Sequence, residues 1–181
     1  LSLVGSEMCI RDRYQAFSNG GYYIKPHTIK KFVYKDTDEV VETKAAKTRV
    51  MNDSTAYIIN YSLNWSATEG LAKSAAGISG VQTAAKTGTS NFDEATRKKF
   101  HLSSKAVNDL WVCGYTPKQT ITFCYCCAYI RKGHSTTSSW STRDKFYRNL
   151  AENLFDKDGS SFARPSSIEE VSVVRNSIPL K

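Results

Sequence analysis

The tetrapeptide Lys86-Thr87-Gly88-Thr89, set within Ala84-Ala85-Lys86-Thr87-Gly88-Thr89-Ser90, joins residue types that can hold a peptide against a strand. An extended strand at the rim of a cleft offers backbone N–H and C=O groups that pair with an added peptide. Lys86 supplies a fixed positive charge for a substrate carboxylate and for nearby proton-transfer groups. Thr87 and Thr89, two residues apart, point to one face of a strand, where their hydroxyls can donate to that carboxylate. Gly88 removes a side chain that would block approach to the backbone. Taken alone, the tripeptide Lys-Thr-Gly also fits a strand end with a solvated lysine and a glycine bulge.

Other chemistry-bearing residues form no constellation. His27, His101 and His134 fall in separate turns and loops, with no metal-ligand spacing. Cys113, Cys124, Cys126 and Cys127 crowd two strand-like runs without the paired C-x(2–4)-C spacing of a zinc site. On a strand, Cys124 and Cys126 share a face and Cys127 takes the other; they read as small buried apolar residues. A disulfide from Cys113 to one of them stays open, subject to strand register. Trp111 reads as core, because its strand is apolar on both sides, and Tyr125 and Tyr129 read as packing residues. The net charge of the 181 residues is +8, yet the lysines and arginines are scattered in short clusters such as Arg97-Lys98-Lys99. No basic stripe accompanies a nucleic-acid motif, so a solvated surface is expected and no nucleic-acid partner. No run is long and apolar enough to span a bilayer.

The elements that must position the tetrapeptide follow from periodicity and turn chemistry. Residues 14–24 read as a helix end closed by Asn19-Gly20-Gly21, then extended chain past which Pro26 forbids helix. Ile29 to Tyr34 and Glu39 to Glu42 read as short strands joined by the turn Lys35-Asp36-Thr37-Asp38. Residues 53–66 form a helix capped by Asn52 or Asp53, with Ala56, Ile59 and Leu63 on one face. Gly70 to Gly80 reads as loop, Val81 to Ser90 as extended chain, and residues 91–109 as a long polar loop. Leu110 to Thr116 and Thr120 to Ile130 form the clearest hairpin, with Pro117 in its turn. Residues 132–140 read as a polar loop. Residues 142–155 read as an amphipathic helix, with Phe146, Leu150 and Leu154 beside Tyr147, Ala151 and Phe155, ended by Asp158-Gly159. Residues 158–181 read as a Ser-rich tail. This order is an α+β pattern, an antiparallel sheet packed by helices.

Several segments resemble class A (bifunctional) penicillin-binding proteins. Tyr14 to Pro26, with its Phe-x-Asn-Gly-Gly-Tyr-x-x-x-Pro form, is similar to the segment that enters their small hairpin. Lys86 to Ser90 resembles their Lys-Thr-Gly-Thr-Thr/Ser strand. Asp109-Leu110-Trp111-Val112-Cys113-Gly114-Tyr115-Thr116-Pro117 resembles their Asp-x-Trp-Phe-x-Gly-Tyr-Thr-Pro strand and turn. Phe123 to Ala128 departs from the pattern, carrying cysteines where relatives have Trp and Gly. Residues 1–13 resemble a translated sequencing adapter instead, so residues 14–157 are expected to be the C-terminal portion of the transpeptidase domain.

The resemblance implies a partial serine β-lactamase/DD-peptidase-like fold and a serine acyl-enzyme that cross-links peptidoglycan. Lys86, Thr87, Gly88 and Thr89 would bind the stem peptide, with the Thr89 N–H as an oxyanion donor. β-Lactam antibiotics would be the other ligands, no metal or organic cofactor is implied, and any membrane attachment would come through an anchor upstream of this chain, on the extracytoplasmic face. No serine here has a lysine three residues later, so the nucleophile motif is absent and the chain alone is expected to be inactive. Ser62-Leu63-Asn64 matches the family's Ser-x-Asn form but lies in a helix too close before Lys86 to serve as it. The rivals are a class B enzyme, a β-lactamase or penicillin-sensor fragment, and a non-catalytic basic binding module.

Overall fold

The computed structural model describes residues 6–126, 140–172 and 174. Helix α1 (Ser6–Ser18) stops at the expected glycines, and Gly20 and Gly21 have φ of 62° and 91°. Gly21 is required twice over, since a Cβ there would also overlap the Met51 carbonyl oxygen. Strand β1 (Tyr22–Ile24) leaves from this joint and pairs antiparallel with β4 (Lys47–Arg49), a strand the sequence pattern did not predict. Between them β2 (Lys31–Val33) and β3 (Val40–Glu42) form the expected hairpin around residues 35–38. Helix α2 (Asp53–Thr68) starts after Asn52, whose side chain makes no capping bond. Its inner face carries Ala56, Asn60 and Ala67, with Ile59 and Leu63 half-buried beside them.

Two stretches expected to be loop contain helix. Within Gly70–Gly80, α3 (Lys73–Ala76) forms because Ala72, Ala75 and Ala76 are fully buried. Side chains this small let α3 pack close to its neighbours, so the Ser and Gly content misled the loop expectation. Within residues 91–109, α4 (Glu94–Phe100) is nucleated by Asp93, whose carboxylate accepts from Thr96 N–H at 2.8 Å and Thr96 Oγ1 at 2.7 Å. Arg97 then ties the following loop, donating to the carbonyls of Phe92, Ser103 and Ala106 at 3.2, 2.7 and 2.7 Å.

The main sheet has the order β5-β6-β7, all antiparallel, from β5 (Ala84–Asn91), β6 (Val107–Tyr115) and β7 (Thr120–Cys126). The β6–β7 turn closes with Thr116 N–H donating to Gln119 O at 2.8 Å. Helices α1 and α2 cover one face, where Ala84, Tyr115 and Phe162 pack with Tyr14, Phe17 and Leu63. Phe162, in the stretch expected to be tail, is thus part of the core, and its N–H donates to Gln82 Oε1 at 2.7 Å. Helix α5 (Trp140–Leu154) covers the other face with α3, and there Ala85, Val112, Tyr147, Ala151 and Phe155 form the larger core. Of the two adjacent apolar stripes predicted on α5, only Tyr147, Ala151 and Phe155 face inward; Phe146, Leu150 and Leu154 are 56%, 37% and 54% exposed. The sheet packed by helices matches the α+β expectation. The predicted 132–140 loop, apart from Trp140, and the end of the predicted 120–130 strand lie outside the described residues.

Candidate active-site wall

β5 is an edge strand. It pairs only with β6 among the described residues, so its outer backbone edge has no partner strand. The register sets Lys86 opposite Cys113, Thr87 opposite Val112, Gly88 opposite Trp111 and Thr89 opposite Leu110. Alternation sends Lys86 and Gly88 to the face of Ala84, toward α1, and Thr87 and Thr89 to the face of Ala85, toward α5. The two threonines share a face as expected; Lys86 leaves from the other.

Lys86 is exposed, and its Nζ donates to the Thr87 carbonyl at 2.7 Å. With Gly88, Trp111, Cys113, Ile10 and Tyr14 it lines a shallow groove of about 240 Å³. Trp111 departs from the core expectation: it is only half-buried and forms part of this groove. The physical reason is its cross-strand partner, since a Cβ on Gly88 would stand 3.3 Å from Trp111 Cβ and no side chain covers the indole there. The floor is chemically quiet. Burial pushes the Cys113 thiol up to about 12, against a smaller opposing effect from Thr122 Oγ1, which donates to Sγ at 3.2 Å. Burial, and then the neighbouring Cys113, hold the Tyr14 phenol above its ordinary value.

Buried polar contacts brace the strand. Asn60 of α2 donates to Phe17 O at 2.9 Å and accepts from Tyr115 Oη at 2.8 Å, joining α1, α2 and β6. Asn64 donates to Thr83 O at 2.7 Å, just before β5. At the far end Ser90 Oγ donates to Asp109 Oδ2 at 2.5 Å, next to a register shift between Ser90 and Asn91. Ser62 is exposed and returns its hydroxyl to Ile58 O at 3.0 Å, so Ser62 and Asn64 are both used within the scaffold. His27 and His101 are exposed and belong to no cluster of possible metal ligands among the described residues; His134 lies outside the described residues. Cys113 and Cys124 are not joined; Cys124 is linked to Cys126 within β7. The expectation that Cys124 and Cys126 are small buried residues is corrected, because neither is buried in β7. Asn60 was legible in principle, one helical turn after Ala56 on the inner face of α2. The exposure of Trp111 was not, because it depends on cross-strand register.

The arrangement provides a strand edge for peptide pairing, a lysine charge beside it, two hydroxyls and an open glycine. Among the described residues, no serine followed three positions later by lysine stands beside it. Comparison with known proteins places the chain in a family. The family model described as the penicillin binding protein transpeptidase domain matches residues 10–152. Penicillin-binding protein 1A/1B of Bacillus subtilis is 30% identical over 178 residues, 97% of this chain and 19% of that protein. Penicillin-binding protein 1A of Streptococcus pneumoniae is 35% identical over 109 residues, 60% of this chain and 15% of that protein. The chain therefore spans less than a fifth of the length of these relatives. Among solved structures, penicillin-binding protein PonA1 of Mycobacterium tuberculosis superposes with a TM-score of 0.57 at 18% identity, over 91% of this chain and 45% of that one. A penicillin G acyl-enzyme complex of penicillin-binding protein A from the same organism superposes at 0.56 and 16% identity, over 81% and 31%.

Proposed function

The chain belongs to the penicillin-binding protein transpeptidase family, and from that membership we propose that it is one wall of a peptidoglycan D,D-transpeptidase site. In this reading a stem peptide adds to the outer edge of β5 and pairs with its backbone. Lys86 offers its charge to the substrate from the α1 face of the strand, Thr87 and Thr89 offer their hydroxyls from the opposite face, and the Thr89 N–H donates to the oxyanion. Gly88 leaves the strand bare so that the substrate can lie against it. β-Lactams occupy the same edge. The acyl-accepting serine and its base come from a segment that this chain does not contain, and the complete protein works on the extracytoplasmic side of a bacterial membrane.

The observation that carries the reading is the outer edge of β5 at Lys86-Thr87-Gly88-Thr89, unpaired among the described residues and beside an open groove. Its corollary is that the chain alone forms no acyl-enzyme, since the covalent route needs the missing nucleophile. The test is incubation of the purified chain with fluorescent penicillin, followed by denaturing electrophoresis. No labelled band is expected; a band at the mass of this chain, competed by unlabelled penicillin, overturns the reading.

A further inference from the structure

We propose that Asp109, Cys124 and Cys126, once the cysteines are reduced, form a site for one thiophilic divalent cation such as Zn²⁺ or Cd²⁺. The three residues come together through the sheet. Cys124 and Cys126 project from one face of β7, and the β6–β7 register sets Asp109 directly opposite Cys126. Both sulfurs and a carboxylate oxygen of Asp109 lie within 4.8 Å of one another. A tetrahedral ion with bonds of about 2.3 Å to sulfur holds two sulfurs about 3.8 Å apart, so the spread is within reach of small side-chain rotations. Linear spacing hides the site, because its oxygen ligand lies across the ladder, far from the cysteines in sequence.

A second, independent feature points to a cation. Asp109 is only 3% exposed, and its Oδ1 has no hydrogen-bond partner among the described residues. Its other oxygen is already engaged, by Ser90 Oγ at 2.5 Å and Asn108 Nδ2 at 2.8 Å. A buried carboxylate oxygen without a donor is costly, and a bound cation satisfies it without disturbing the Ser90 bond. Two thiolates select soft or borderline metals over Ca²⁺ or Mg²⁺, and three protein ligands leave a fourth position for water.

The site is gated by oxidation state. In the structure Cys124 and Cys126 are linked. Two electrons and two protons from a dithiol reductant break the S–S bond and give two thiols, the reductant becoming its own disulfide. The cation then replaces the two thiol protons, which pass to solvent. Cys113 stands apart from the cluster, its sulfur accepting from Thr122. Asp109 reaches the ligand-binding strand through Ser90, so an ion here would sit just beyond the Lys86–Thr89 segment on the same ladder.

The test titrates the reduced chain with ¹¹³Cd²⁺ alone, under anaerobic conditions after removal of reductant. One Cd²⁺ per chain is expected, with a thiolate-to-metal absorption band and a ¹¹³Cd shift typical of two sulfur ligands. The oxidised chain should bind at least ten-fold more weakly. Cys124→Ser or Cys126→Ser should abolish the band, Asp109→Asn should weaken binding at least ten-fold, and Cys113→Ala should leave it unchanged. Binding that survives either β7 cysteine substitution, is absent from the reduced chain at micromolar Cd²⁺, or is unaffected in a folded Asp109→Asn variant overturns the proposal. If Asp109→Asn does not fold, the ¹¹³Cd shift of the parent decides: a shift for one or three sulfurs contradicts the assignment.

Discussion

Replacing Gly114 by Ala should destabilise the chain by about 3 kcal/mol, at the upper end of the 1–3 kcal/mol usual for overpacking. The new methyl carbon would stand 3.1 Å from Tyr147 Cζ, 3.3 Å from Ala85 Cβ, and nearer still to the Tyr147 hydroxyl. Tyr147 is fully buried and belongs to the larger core with Val112 and Ala151, so its ring has no free space to move into. Relief requires α5 to lift from the sheet at the position where β6 pairs with Ala85, the residue before Lys86. Urea unfolding followed by circular dichroism measures the loss. The most severe overlap is with the tyrosine hydroxyl, so Tyr147→Phe should rescue in part: the double variant should recover at least half of the loss, with a coupling energy above about 1 kcal/mol. A Gly114→Ala variant within about 0.5 kcal/mol of the parent, or strictly additive effects in the double variant, would refute the reasoning.

Three further outcomes are expected. Asn60→Ala should cost about 1–3 kcal/mol in the same assay, because it leaves the buried Tyr115 hydroxyl without its acceptor and frees the Phe17 carbonyl. Cys113 should resist iodoacetamide at pH 8 in the folded chain while exposed Cys9 reacts, and should become reactive in urea; mapping by mass spectrometry reads both, since burial holds the Cys113 thiol at about 12. The Asp93 carboxyl is held below its ordinary value by its hydrogen bonds from Thr96. Its support of α4 is therefore complete above the unfolded carboxylate range and is lost as pH falls through the folded value. The protection factor of the Thr96 amide, with the intrinsic pH dependence of exchange divided out, should fall in acid, and an Asp93→Asn variant should show a flatter pH profile.

The long-range order of the chain was readable because strong local signals coincide with it. Gly20-Gly21 ends a helix, residues 35–38 turn a hairpin, and the aromatic and β-branched residues around Pro117 make the β6–β7 pair. Where reading failed, a second physical influence was at work. Helix α4 buries none of its residues, so it leaves no apolar period; its only mark is the Asp93–Thr96 cap. On α5 two neighbouring stripes fit helical spacing equally well. The buried one also carries Arg143 and Asp144, an ion pair at 2.6 Å, and these charges disguise the core face. Sequence alone placed Lys86 to Thr89 on a strand, but only the sheet order made that strand an edge, and only the register uncovered Trp111 opposite Gly88. The meeting of Asp109 with Cys124 and Cys126 likewise needed the ladder.

The most direct test of the central claim is the acylation rate of a chimera. In it, residues 10–152 of this chain, the span matched by the family, replace the matching segment of the Bacillus subtilis penicillin-binding protein 1A/1B, whose remaining sequence is kept. Stopped-time labelling with fluorescent penicillin should show an acylating chimera. Lys86→Ala within it should lower the second-order rate constant by about 100-fold or more, the scale associated with losing one fixed transition-state contact. A Lys86→Ala chimera that acylates as fast as its parent would contradict the claim that this strand is a wall of the active site.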